Sequence, residues 1–246
     1  MWLESTDSGD NSEAVYPANR LTEIAQTLAS IRATIKTSGI KHISTISSML
    51  LPVDDMLQNW RDQLPPSWVP RPDPSCLSPE CALHAHIERG PSDVYPDLWI
   101  ASIWNNYRAA RIIIHETLLS SSMVCKSTIP VAGGQITNHS IVILREMSAE
   151  ICRSVEYHLR PAIISSPYDA SIQQRRMIPG GHLLIWPLFM AGKLPTTNSK
   201  YRFWISDLLS QIGISLGIRL AMSLSETLRQ DTNWMTFSET ELWNLP

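Results

Sequence analysis

Residues 95–119, YPDLWIASIWNNYRAARIIIHETLL, constrain the fold more than any other stretch of this chain. The segment reads as one helix, opening at Ser92 or Asp93 and ending near Leu119. Within an otherwise apolar run, Trp104, Arg108, Arg111 and His115 recur at offsets of four, three and four, so they share one face. Trp99, Ile103, Tyr107, Ala110 and Ile114 form a neighbouring, mostly apolar stripe. A guanidinium inside such a run needs a partner, because an unpaired buried charge is costly. The helix therefore demands neighbours that are apolar in most places and acidic or anionic in a few.

The rest of the chain supplies helices for that purpose. Leu21, Ile24, Ala25, Leu28, Ile31 and Ile35 recur every three or four positions over residues 20–37, an amphipathic helix. Asp54 and Asp55 can cap a short helix through Trp60, after an ambiguous Ser/Thr/Ile-rich stretch at 42–51. Residues 64–80 hold six prolines and exclude regular helix or central strand, so they form a connector pinned by Trp60 and Trp68. A loop follows at 120–134, and a second long helix spans 138–158 with Ile141, Leu144, Met147 or Ser148, Ile151 and Val155 on one face. Residues 159–178 are irregular. Gly180 and Gly181 open a short apolar helix in which Pro187 predicts a kink or a later start. Two last helices cover 199–211 and 214–230. Leu208, Ile212, Leu216, Leu220, Leu224 and Leu228 make a four-residue repeat that precesses around a helix and suits several neighbours rather than a coiled-coil seam. No strand-like alternation is present. The fold class is all-α: an irregular multi-helix array with proline-rich connectors. Residues 1–17 read as a disordered acidic leader, and residues 18–246 as a single helical domain.

Charge argues against a self-sufficient nucleic-acid binder: 20 Lys+Arg face 23 Asp+Glu, without a basic stripe. Apolar runs are too short to span a membrane, and the polar, acidic N-terminus resembles neither a secretory signal nor a transit peptide. Four cysteines without a secretion signal read as free thiols in a reducing compartment.

Three blocks carry a family resemblance. They are Trp60 with LPPSW at 64–68 followed by the helix at 95–119, GGHLLIWPLFMAGKL at 180–194, and WISDLLSQIGISLGIRLAMSLSETL at 204–228. In order and spacing they resemble the C-terminal regulatory domain of fungal binuclear zinc-cluster transcription factors. The resemblance spans about residues 55–230. It implies a helical regulatory domain of a nuclear protein that controls transcription, often of metabolic and secondary-metabolic pathways. The departure lies in the cysteines. The family's cluster needs six in two close groups, whereas this sequence has Cys76, Cys81, Cys125 and Cys152. The chain is thus expected to lack the DNA-reading element, as a truncated member, a piece of a longer product, or a descendant with another job.

Two groups of residues invite chemistry. Cys76, Cys81, His84 and His86 are four zinc-type donors within eleven residues. Their spacing fits no common finger, and the alternative is a proline-rich loop with incidental Cys and His. The second group is the face Trp104, Arg108, Arg111 and His115, with His182 and Trp186 of the later apolar helix. Two guanidiniums and an imidazole on an apolar wall can bind an anionic metabolite. The same pattern also serves as an internal brace that pairs with acidic residues of adjacent helices. No nucleotide, metalloprotease or nucleophile-elbow motif is present, no catalytic residue is assigned and no cofactor is assigned.

The first functional reading is a transcription-factor-like regulatory domain, acting through other proteins or a small-molecule effector, without direct nucleic-acid or membrane binding by this chain. A homodimer is left open. The second is a helical scaffold turned to small-molecule binding, or to biosynthesis of the isomerase or cyclase type, with Arg108, Arg111 and His115 stabilising charge or moving a proton.

Overall fold

The computed structural model describes residues 10–74, 91–124, 132–160 and 180–230. Among them are eight α-helices: α1 (Asp10–Thr37), α2 (Ile43–Asp62), α3 (Leu98–Val124), α4 (Ala132–Arg153), α5 (Val155–Leu159), α6 (Gly181–Gly192), α7 (Ser199–Leu216) and α8 (Arg219–Gln230). The fold is all-α, as expected. Among the described residues it also holds a ladder of two-residue strands, β1 (Arg71–Pro72) antiparallel to β2 (Asp93–Val94), too short for any alternation to betray it.

Helix α3 is the axis. Asp97 starts it, its carboxylate accepting a 2.7 Å bond from the Ile100 N–H. Over 27 residues the helix is about 40 Å long. It contacts α1, α2, α4, α5 and α6, and the hairpin of α7 and α8 is attached through α6. Ala101, Tyr107, Ile112, Ile114 and Leu118 are fully buried along it. The helix begins later than the expected Ser92 or Asp93, because Asp93 pairs in β2. It also runs past Leu119 into the expected loop.

Several other boundaries move for physical reasons. Helix α1 begins at Asp10, inside the stretch expected as leader, and carries Pro17 within it. The Trp60 indole N–H donates to the Pro17 carbonyl at 2.7 Å, which ties α2 to this first part of α1. Helix α2 runs continuously from Ile43 through Pro52, so Asp54 is no cap. Leu50, Val53, Leu57 and Trp60 are buried on one face of α2, and their packing outweighs an interior proline's cost of about 3 kcal/mol. Helix α6 likewise continues through Pro187. The expected helix at 138–158 is two, broken at Ser154, whose hydroxyl donates to the Ile151 carbonyl and accepts from Asn105.

The leucine repeat is divided between two helices. Gly217, at φ 69°, ends α7 in the left-handed region that favours glycine, and the Ile218 N–H returns to the Gly213 carbonyl at 2.9 Å. Gly213 lets α8 approach closely: a Cβ there would lie 2.7 Å from Met222 Cγ. Ile212 and Leu228 are buried as a result, while Leu220 is exposed beside the turn.

Candidate functional site

The candidate face of α3 is interior. Arg108 is 1 % exposed, Arg111 2 % and His115 0 %. Trp104 is also buried, its indole N–H donating to the Trp68 carbonyl at 2.8 Å. Trp60, Trp104 and Tyr107 form a ring cluster with centroids 5.4–5.8 Å apart, which joins the connector and α2 to α3.

Each guanidinium has its own counter-ion on another element. Arg111 grips Asp54 of α2 through both carboxylate oxygens, Nε to Oδ1 at 2.7 Å and a terminal nitrogen to Oδ2 at 2.9 Å. Such a bidentate fork is among the strongest hydrogen-bonded ion pairs. Gln58 donates to the same Oδ2 at 2.9 Å. His115 approaches from one turn further along α3, Nε2 to Oδ2 at 3.4 Å, an ion-pair distance without good hydrogen-bond geometry. Its Nδ1 lies 3.2 Å from the Ser140 hydroxyl of α4. The Asp54 cluster therefore joins α2, α3 and α4.

Arg108 serves the other end of α4. Its Nε donates to Glu150 at 2.9 Å, and a terminal nitrogen donates to the Tyr95 hydroxyl and to Asn105 Oδ1, each at 2.9 Å. Asp93 of β2 lies 3.8 Å from the remaining nitrogen and 3.6 Å from Arg153. The guanidinium also lies 5.5 Å from the Trp104 ring centroid, within cation–π range. This cluster joins β2, α3 and α4.

Electrostatics follow the pairing. Burial alone would raise the Asp54 pKa, but His115 and Arg111 outweigh it and hold the carboxyl well below the usual range. Burial alone would lower both arginines, but Asp54 and Tyr107 for Arg111, and Tyr95 and Glu150 for Arg108, hold them above their ordinary value. Burial pushes the Tyr95 hydroxyl up to about 12 and also raises Asp93, against the opposing pull of Arg108 and Arg153.

A pH dependence follows. Asp54 is depressed in the folded chain, so its contribution to stability is complete above the ordinary aspartate value of about 3.9 and is lost as pH falls below it. Asp93 has the opposite sign: its raised value means that protonation relieves a cost. Urea denaturation between pH 6 and pH 3, common working limits around that value, should show a falling midpoint. The fall should shrink in Asp54→Asn and persist in Asp93→Asn.

Ser140, His115 and Asp54 are the residue types of a nucleophile, base and orienter. Here none reaches solvent: Ser140 and His115 are 0 % exposed, and both Asp54 oxygens are held by Arg111. Asp54 is neutralised by Arg111 inside the fold.

The other two members of the expected site are placed elsewhere. His182 and Trp186, one turn apart on α6, are exposed. Trp186 faces a groove with Ala109, Ala110 and Ile113, about half a turn around α3 from the arginine face. Cys76, Cys81, His84 and His86 lie outside the described residues. Among the described residues no group of three or more His, Cys, Asp and Glu is placed to hold a metal, and no helix is long and apolar enough to cross a membrane. Cys152 is buried. The sequence reading missed Asp54, Glu150 and Asp93 as counter-ions. One signal for Asp54 was its place four residues after Leu50 on the buried face of α2.

Comparison with known proteins adds one relationship. No family model matches the chain. No solved structure matches it either. The transcription factor dbaG of Emericella nidulans is 25 % identical over 181 residues, which cover 70 % of this chain and 40 % of the relative. The chain is thus similar, over most of its own length and less than half of the relative's, to a fungal transcription factor.

Proposed function

We propose that this chain is a regulatory domain of the transcription-factor type, acting through protein contacts or a bound effector and not by reading DNA itself. The observation that carries the reading is the 181-residue similarity to dbaG. The helical body and the lack of a basic stripe support it, since DNA readers concentrate Lys and Arg on one surface. We take residues 18–246 as one such domain and the nucleus as its place of action, in control of a metabolic, including secondary-metabolic, pathway. On this reading the Trp104, Arg108, Arg111 and His115 face is a brace that keeps the helices in register for a surface elsewhere to be read. We take the chain as a relative of the binuclear zinc-cluster factors that does not itself carry the cluster's six cysteines.

The test is tethering. Fused to an unrelated DNA-binding domain in a fungal reporter strain, the full chain is expected to change reporter output relative to the DNA-binding domain alone. In gel shifts the unfused chain is expected to bind DNA no better than non-specifically, with Kd at or above ~10⁻⁶ M. An unchanged reporter, or tight sequence-specific binding by the unfused chain, would refute the proposal.

A further inference from the structure

The groove that Trp186 faces lies between α1, α3 and α6 and encloses about 300 Å³, at the lower end of the range for small-ligand sites. Short side chains make the room. Ala25 and Ala29 of α1, with Ala109 and Ala110 of α3, stand where larger apolar residues would close the gap between the helices. Trp186 forms a wall. It is 53 % exposed on a helix where Leu184, Ile185, Leu188 and Met190 are buried, so its side chain lines the groove instead of joining the core. Arg32 is the one ionisable side chain among the lining residues, and it is exposed.

We propose that this groove binds a small aromatic carboxylic acid. The ring lies on the alanine floor against the Trp186 indole, where an offset stack adds to the burial of apolar area. The carboxylate meets the Arg32 guanidinium, whose planar fork matches its two oxygens. Charge complementarity selects an acid over a base or a neutral ring, because the lining offers a cation and no anion. The site's role as an effector site rests on the regulatory reading above, but binding itself does not. The arrangement separates two tasks on one helix: one face of α3 is closed by internal ion pairs, and the opposite face forms the ligand floor.

The test uses the full chain with ¹⁵N-labelled tryptophan and 2-naphthoate as probe, followed by NMR. Loss of one resonance in Trp186→Phe identifies the Trp186 indole. Saturable shifts of that resonance are expected with 2-naphthoate, and 2-naphthamide, the uncharged counterpart, should bind about two- to five-fold more weakly, as a solvated ion pair allows. Arg32→Gln should remove that preference. Ala25→Trp, at an exposed position, should fill the groove and abolish the shifts while circular dichroism shows an intact fold. No saturable shift with 2-naphthoate, equal affinity for acid and amide, or shifts that persist in Ala25→Trp would overturn the proposal. Binding without a reporter response would defeat only the regulatory reading, and a reporter response without binding only the groove.

Discussion

Replacing Asp54 with alanine is expected to destabilise this chain by about 3–5 kcal/mol, a large part of the stability of an ordinary domain. The cost is less the loss of a favourable contact than the charge left behind. Arg111 is 2 % exposed and donates two hydrogen bonds from its fork to Asp54, so alanine leaves a guanidinium sealed in the core without its counter-ion. Equilibrium urea denaturation reads the effect as a lowered midpoint at nearly unchanged slope. The companion measurement removes both charges. Asp54→Leu combined with Arg111→Met should recover most of the loss, because an apolar pair avoids the desolvation that the ion pair must offset. If Asp54→Ala costs less than about 1 kcal/mol, the range of an exposed pair, the clamp is not the brace described here.

Arg108→Ala is the second large effect, expected at about 2–4 kcal/mol. The side chain joins Glu150, Tyr95 and Asn105 by hydrogen bonds of 2.9 Å and lies near Asp93. Its loss also removes the guanidinium that lies 5.5 Å from the Trp104 ring centroid. The acidic partners are partly solvated and retain Arg153, so the cost is set below that of Asp54→Ala. Arg108→Lys should restore little, because one ammonium cannot reach three acceptors in the fork's fixed geometry. Denaturation of the two variants side by side checks this. Equal stability of Arg108→Lys and the parent chain would mean that only the charge matters at this position, and that the three-way joint does not.

The resistance of the array to these losses depends on the rest of the core. Tryptophans 60, 68 and 104 give each joint an apolar surround, and two of their indoles donate to backbone carbonyls across the helices. Within that low-dielectric setting the ion pairs are strong once formed, and costly when halved.

Periodicity alone makes the helices legible in the sequence. The faces built on Leu21–Ile35 spacing, on Ile141 to Ile151 and on the long α3 segment are local patterns, and each appears as a helix. Boundaries were less legible where a local signal was overruled. Asp54 and Asp55 read as the cap of a short helix, yet burial of Leu50, Val53, Leu57 and Trp60 carries α2 from Ile43 straight through Pro52. The last two helices read as 199–211 and 214–230, with the break beside Gly213, yet the left-handed turn at Gly217, with α8 resting on Gly213, places it later, between Leu216 and Arg219.

The cations of the arginine face could be read from their spacing on one helix, together with the requirement that something must neutralise them. The identity of the neutralising groups could not. Asp54 is 57 residues from Arg111, and Glu150 is 42 from Arg108. Helical spacing is set by bonds between residues four apart, so a sequence carries it openly. Which acid meets which base is set by how whole helices cross, and that is a property of the packed core. The same holds for Trp186: the sequence sets it on a short apolar helix, and only the placement of α1 against α3 and α6 leaves its indole facing a groove.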